Sequence, residues 1–147
     1  MSKVFVYGTL KPGEAYYQAY CAPYVVNATP AMAQGYLFHL PQGYPAMTVG
    51  QATSEMLGEQ WIMGVLLHFR DDAAIAQIDE FEDYNPALAD TDNDYLRQLR
   101  PVFSQKHQPL GAAWIYLMTP QQVQRYGGIP ISTGVWSQHQ WPSISPT

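Results

Sequence analysis

Residues 62–69 read Ile-Met-Gly-Val-Leu-Leu-His-Phe, a nearly continuous apolar run of strand length. A strand half-exposed to water alternates polar and apolar residues, so this one must be covered on both faces. Gly64 within it predicts a bulge or a bend. Just beyond, Asp71 and Asp72 can cap a helix running to about Phe81 or Glu82. Lys3 to Tyr7 is a β-branched and aromatic run stopped by Gly8, a strand feeding a loop, with a turn at Lys11-Pro12-Gly13. Ala33 to Leu40 and Tyr44 to Val49 read as strands separated by Pro41-Gln42-Gly43, and Pro23 and Pro30 bracket a less regular crossing. Tyr95 to Ser104 and Leu110 to Met118 read as a further strand pair. Short helices are expected over Glu14 to Cys21 and from Thr119-Pro120 to Gly127-Gly128, the latter with proline in its favoured first turn. Five or six strands with two or three helices, in no strict βαβ alternation, argue for the α+β class.

At 147 residues and 47% hydrophobic the chain is the size of one domain with a sizeable core. The domain is expected over residues 1–136, followed by a tail over 137–147 that lacks charges and docks, if at all, by Trp136 and Trp141. The net charge is -5 and the seven Lys and Arg are scattered, which speaks against a nucleic-acid partner. Cys21 is the single cysteine, so no intrachain disulfide can form and a reducing compartment fits. Core-like residues begin at Val4 without a charged segment and long apolar stretch ahead of them, so no signal peptide is expected. No run is apolar for long enough to cross a bilayer, and the simplest expected location is the cytoplasm.

Two segments offer chemistry. With about 100° per helical residue, Ala74, Ile75, Ile78 and Phe81 gather on one face, and Glu82 falls about 20° from Ile75 while Glu80 falls about 140° away. Glu82 therefore points toward apolar ground, where burial raises a carboxyl pKa toward the range a proton shuttle needs. If the helix ends before residue 82, the same residue is an ordinary solvated end group. The second segment is Tyr7-Gly8-Thr9-Leu10. A strand stopping there leaves the following amides without ladder partners, and successive amides in a turn make an anion-binding nest. Those donors suit a carboxylate or a developing oxyanion. An ordinary turn with a structural glycine accounts for the pattern equally well.

Taken together, Tyr7-Gly8-Thr9-Leu10-Lys11-Pro12-Gly13 and Ile78-Asp79-Glu80-Phe81-Glu82-Asp83-Tyr84 resemble the two signatures of the gamma-glutamylcyclotransferase-like family, which includes gamma-glutamylamine cyclotransferases and AIG2-like proteins. Gly43-Tyr44-Pro45-Ala46, Tyr95-Leu96-Arg97 and Trp114-Ile115-Tyr116 resemble further family elements in the same order. The resemblance implies a small mixed β-barrel of five to six strands flanked by helices. It implies that a gamma-glutamyl compound closes on itself, its α-amine attacking its γ-carbonyl to release 5-oxoproline and a free amine. Glu82 takes the catalytic position, Tyr7, Gly8, Thr9, Leu10, Tyr95 and Tyr116 the substrate-binding ones. The only partner implied is this small gamma-glutamyl substrate, and neither a cofactor nor a metal is needed. The alternative is a member of the same fold that binds a small metabolite or a protein without turning it over.

Other readings of these residues are weaker. Cys21 with His39, His68, His107 or His139 could suggest a thiol hydrolase, but no local nucleophile signature supports it. The four histidines show no metal-ligand spacing. Tyr16, Tyr17, Tyr20 and Tyr24 read as residues packing a helix onto the sheet. Nothing in the sequence specifies the leaving amine or an oligomeric state.

Overall fold

The computed structural model describes residues 2–49, 59–85, 87–88 and 93–137. Seven strands and three helices follow one another as β1 (Ser2–Val6), α1 (Tyr17–Tyr20), β2 (Val25–Leu40), β3 (Tyr44–Thr48), β4 (Gln60–Phe69), α2 (Ala73–Phe81), β5 (Leu96–Phe103), β6 (Pro109–Leu117), α3 (Pro120–Arg125) and β7 (Ile129–Pro130). The sheet order is β3-β2-β4-β1-β6-β5, with β7 added to β2. A bridge between Met32 and Phe103 brings β5 back to β2, so that β2, β4, β1, β6 and β5 form a ring. Pairing is antiparallel throughout except between β1 and β6, where Val4 lies opposite Trp114. The fold is thus the expected mixed α+β architecture, with a short seventh strand beyond the anticipated count.

Two apolar clusters explain the pattern along the central strands. Val4 and Val6 of β1 join Leu67 and Phe69 of β4 against Ala74, Ile75 and Ile78 of α2. Phe5 and Tyr7 point the other way, with Ile62, Leu66, Val102, Ile115 and Trp136. Strand β1 and the Leu66–Phe69 end of β4 are therefore covered on both faces, which is why these residues carry so little polarity, whereas Met63 nearer the start of β4 is exposed. A Cβ at Gly64 would lie 2.4 Å from the Val6 carbonyl oxygen and 2.6 Å from the Phe5 ring. This glycine permits close approach, and the expected bulge is absent there, because the register runs unbroken with Gly64 opposite Ala31. The irregularity falls instead between Val25 and Asn27.

Two other expectations change. The crossing around Pro30 is part of the long strand β2, with Pro30 opposite Val65. Only β4 pairs β2 at that point, so the missing N–H can face an edge without a ladder partner. The helix expected from Glu14 shrinks to the four residues of α1, whose Tyr20 ring lies 4.5 Å from that of Phe81. The C-terminal segment docks by Trp136, which is fully buried and donates its indole N–H to His39 Nδ1 at 3.1 Å. Trp141 and the rest of the tail lie outside the described residues. Among the described residues, no helix is long and apolar enough to cross a membrane.

Candidate functional site

Helix α2 delivers the first half of the site. Asp71 Oδ1 accepts from the Ala73 amide at 2.9 Å and starts the helix, and its buried face of Ala74, Ile75 and Ile78 fixes the rotation. The Glu82 amide still donates to Ile78 O at 2.8 Å, so helical phase persists to residue 82. Asp83 then turns the chain with φ 57°, the left-handed region that Asp tolerates better than most residues. Glu80 is exposed while Glu82 opens into a cavity of about 400 Å³, as the helical phase requires. The Glu82 carboxyl has no hydrogen-bond partner among the described residues. Burial pushes its pKa up to about 8, although the residue keeps some exposure through the cavity mouth.

The loop after β1 delivers the second half. A turn closes with the Lys11 amide donating to Gly8 O at 3.0 Å, and the Tyr16 amide reaches back to Thr9 O at 3.0 Å. The amides of Gly8, Thr9 and Leu10 donate to none of the described residues. Gly8 has no unusual φ; a Cβ there would meet Pro45 Cγ at 2.5 Å. Its role is to let the loop lie directly on the start of β3. Lys11 Nζ donates to Trp136 O at 2.5 Å, so the docked C-terminal segment holds the loop from behind.

All seven residues singled out from the sequence, Tyr7, Gly8, Thr9, Leu10, Glu82, Tyr95 and Tyr116, line this one cavity. Their side chains divide into two groups. The tyrosine hydroxyls are already engaged: Tyr7 donates to Tyr116 O at 2.6 Å and accepts from the Met47 amide at 3.1 Å. Tyr95 donates to Pro45 O at 2.6 Å, and Tyr116 donates to Asp79 Oδ1 at 2.5 Å. Asp79 also pairs with Arg97 at 3.4 Å, whose guanidinium lies 4.4 Å over the Trp114 ring. Burial pushes all three phenols up, so they remain protonated and their bonds tie α2, β3, β5 and β6 around the cavity. The groups left for a ligand include the Glu82 carboxyl and the loop amides.

The cavity has further walls that the sequence reading did not assign. Tyr44 and Pro45 belong to a stretch noted only for its resemblance, and Asp83 and Asp94 flank assigned residues without any periodicity to mark them. Among the described residues, no lysine or arginine lines the cavity. Cys21 is buried, and burial first, then the charge of Glu82, push its thiol up to about 12. A thiol held that far from ionisation is no nucleophile at neutral pH. Among the described residues, no group of three or more His, Cys, Asp or Glu side chains could hold a metal ion.

A family model described as "Gamma-glutamyl cyclotransferase, AIG2-like" matches residues 4–138. No curated protein matches the sequence. Among solved structures, YkqA from Bacillus subtilis is 26% identical with a TM-score of 0.63, covering 95% of this chain and 40% of its own. The present chain thus spans well under half of that protein's length. A uropathogenic E. coli-specific protein is 14% identical over 95% of this chain and 94% of its own, with a TM-score of 0.63. An AIG2-like protein from Mus musculus is 19% identical over 80% of this chain and 77% of its own, with a TM-score of 0.55. The last two likenesses show the fold alone.

Proposed function

Because this chain belongs to the gamma-glutamyl cyclotransferase, AIG2-like family, we propose that it catalyses the intramolecular cyclisation of a gamma-glutamyl amide to 5-oxoproline with release of the attached amine. The observation that carries this reading is the Glu82 carboxyl, largely buried, without a partner among the described residues, and sharing one cavity with the loop amides of Gly8, Thr9 and Leu10. The reaction needs no protein nucleophile. It needs the substrate folded so that its α-nitrogen meets its γ-carbon, a base for the α-ammonium proton, donors for negative oxygen, and an acid for the leaving nitrogen.

Glu82 fills both proton roles in turn. As carboxylate it takes the proton that makes the α-amine nucleophilic, and as acid it returns that proton to the departing nitrogen. A pKa near 8 suits both directions, since it lies close to neutral pH and near that of an α-ammonium. The substrate presents two negative oxygens, the α-carboxylate and the developing oxyanion, and both call for the donors that the loop amides offer. Tyr7, Tyr95 and Tyr116 shape the walls through their engaged hydroxyls.

The test is substrate form. N-acetylation of the α-amine leaves the scissile amide intact but removes the nucleophile, so amine release should stop and no 5-oxoproline should form. Equal amine release from free and acetylated substrates, with glutamate or N-acetylglutamate as co-product, would mean that water attacks and that the cyclotransferase reading is wrong.

A further inference from the structure

The loop that offers its amides to a ligand is tied to its surroundings at few points. Its turn closes locally, through the Lys11 amide on Gly8 O and the Tyr16 amide on Thr9 O. Leu10 packs into the first apolar cluster, and Gly8 lies on Pro45. Among the described residues, one polar contact runs from residues 8–11 to a distant part of the chain, Lys11 Nζ to Trp136 O, 125 positions on. Lys11 is not among the residues that line the cavity, so its ammonium meets the backing of the loop and not the ligand. Packing of Leu10 and Gly8 is non-directional and fixes where the loop lies, whereas the Lys11 bond is directional and fixes how it is turned.

The carbonyl that Lys11 reaches is immobilised from several sides. The Ile131 amide donates to Leu37 O at 2.8 Å, Gln60 Nε2 donates to Ile131 O at 3.0 Å, and the Met63 amide donates to Gly134 O at 2.8 Å. Gly134 has φ 75°, and a Cβ there would lie 2.2 Å from Trp61 O, so glycine is what lets this segment lie on β4. The Trp136 indole belongs to the same apolar cluster as Phe5 and Tyr7, which lead into the loop. Its N–H donates to Nδ1 of the buried His39, a bond that requires the neutral imidazole with its proton on Nε2. Strand β2 thus holds the indole, the indole sets its own backbone carbonyl, and that carbonyl sets Lys11.

Building on the cyclotransferase reading, we infer that Trp136 and Lys11 are positioning residues for the reaction. His39, the Trp136 indole and carbonyl, and the Lys11 ammonium form a chain that sets where the amides of Gly8, Thr9 and Leu10 stand relative to Glu82. Such donors act only within hydrogen-bond distance of the oxygen they serve, and a displacement of ~1 Å can cost ~10²-fold in rate.

The experiment uses the full chain carrying Lys11→Met, Trp136→Phe or both. Methionine keeps much of the apolar stem and removes the donor, and phenylalanine keeps an apolar ring and removes the indole N–H. On a gamma-glutamyl amide confirmed as substrate, each single variant should lose roughly 10–100-fold in kcat/KM. The loss should appear in kcat as well as in KM, because the amides meet the α-carboxylate before reaction and the oxyanion during it. The double variant should lose little more than the worse single one, since both cut the same chain. Val102→Ala, which opens a cavity in the same cluster outside this chain, should lower the urea midpoint and leave kcat and KM unchanged. Wild-type kcat/KM in either single variant, losses that multiply in the double variant, or an equal kinetic loss in Val102→Ala would overturn the inference while leaving cyclisation in place. Hydrogen exchange reads the loop without a substrate: in Lys11→Met the amides of residues 11 and 16 should lose protection, while the Met118 amide, bonded to Met47 O, keeps it. If Trp136→Phe does not fold, or if no amide yields 5-oxoproline with the wild type and the proposed activity fails, this exchange comparison decides the positioning role alone. Protection lost at both loop amides supports it; protection equal in the two proteins, or absent from both, overturns it.

Discussion

Replacing Glu82 by Gln should stabilise the protein, and by an amount that grows with pH. Burial raises the folded-state pKa of this acid to about 8 from an ordinary 4.5. Between those values the folded protein binds a proton that the unfolded chain does not, so each pH unit upward costs the wild type about 1.4 kcal/mol of stability. The loss starts near pH 4.5 and levels off above pH 8. Across the whole window it reaches about 5 kcal/mol, and at pH 7 about 3 kcal/mol. These are upper figures, because Glu82 keeps some contact with solvent; roughly half is a fair working value. Even that is a large fraction of the ~5–15 kcal/mol that holds a domain together. Glutamine has nearly the same volume and no charge, so it adds neither a cavity nor a titration. Urea unfolding of both proteins at pH 5, 6, 7 and 8 reads the effect, since the other titrating groups are common to both. The gap in favour of the variant should widen by at least about 2 kcal/mol from pH 5 to pH 8. A gap constant to within about 0.5 kcal/mol would show that Glu82 is solvated in the folded protein, and the general-base assignment would lose its physical basis.

On a confirmed substrate the same Glu82→Gln variant should lose turnover by at least ~10²-fold, whereas Glu80→Gln, altering an exposed carboxylate, should change the rate little. The wild-type kcat/KM should rise with unit slope up to about pH 8, where Glu82 ionises, and a flat profile from pH 6 to 9 would contradict that base. Gly8→Ala should lower stability by about 1–3 kcal/mol and lower kcat/KM as well, since the new methyl meets Pro45 at 2.5 Å and must push the loop off β3; an unchanged urea midpoint would refute the packing role. Cys21 should resist iodoacetamide at pH 8 in the folded protein and react on unfolding, and rapid alkylation without unfolding would contradict its burial.

The strands and helices that bury a face were readable because burial writes a period into the sequence. Residues 62–69, the apolar stripe of α2, and the Thr119-Pro120 start of α3, where Thr119 Oγ1 accepts from the Gln122 amide at 3.2 Å, all follow local rules. Helical phase separated Glu82 from Glu80 for the same reason. What stayed hidden was long-range. Strand β2 extends through Pro30 because β4 pairs it there, a tertiary fact that no local propensity of proline foretells. Gly64 read as a bulge or a bend because a close approach of β1 is visible only once β1 and β4 are paired. The tyrosines at 7, 95 and 116 were placed at the cavity by resemblance, but their hydroxyls bond to Tyr116 O, Pro45 O and Asp79, partners 109, 50 and 37 residues away.

Those three phenols also explain how the cavity can hold unpaired groups. A largely buried carboxyl without a hydrogen bond and three amides without acceptors, among the described residues, are each a cost that folding would normally remove. Walls free to relax would collapse onto such groups and close the cavity. The surrounding hydroxyls forestall this, because Tyr116 holds α2 to β6 through Asp79, Tyr7 joins β6 to β3, and Tyr95 joins the start of β5 to β3. The walls are thereby fixed independently of the groups that face the ligand. Local unfavourability is confined to one small volume, and a substrate that supplies an ammonium to Glu82 and an anionic oxygen to the loop relieves both costs at once. Binding energy of that kind depends on the charge pattern of the glutamyl half and not on the amine attached to it.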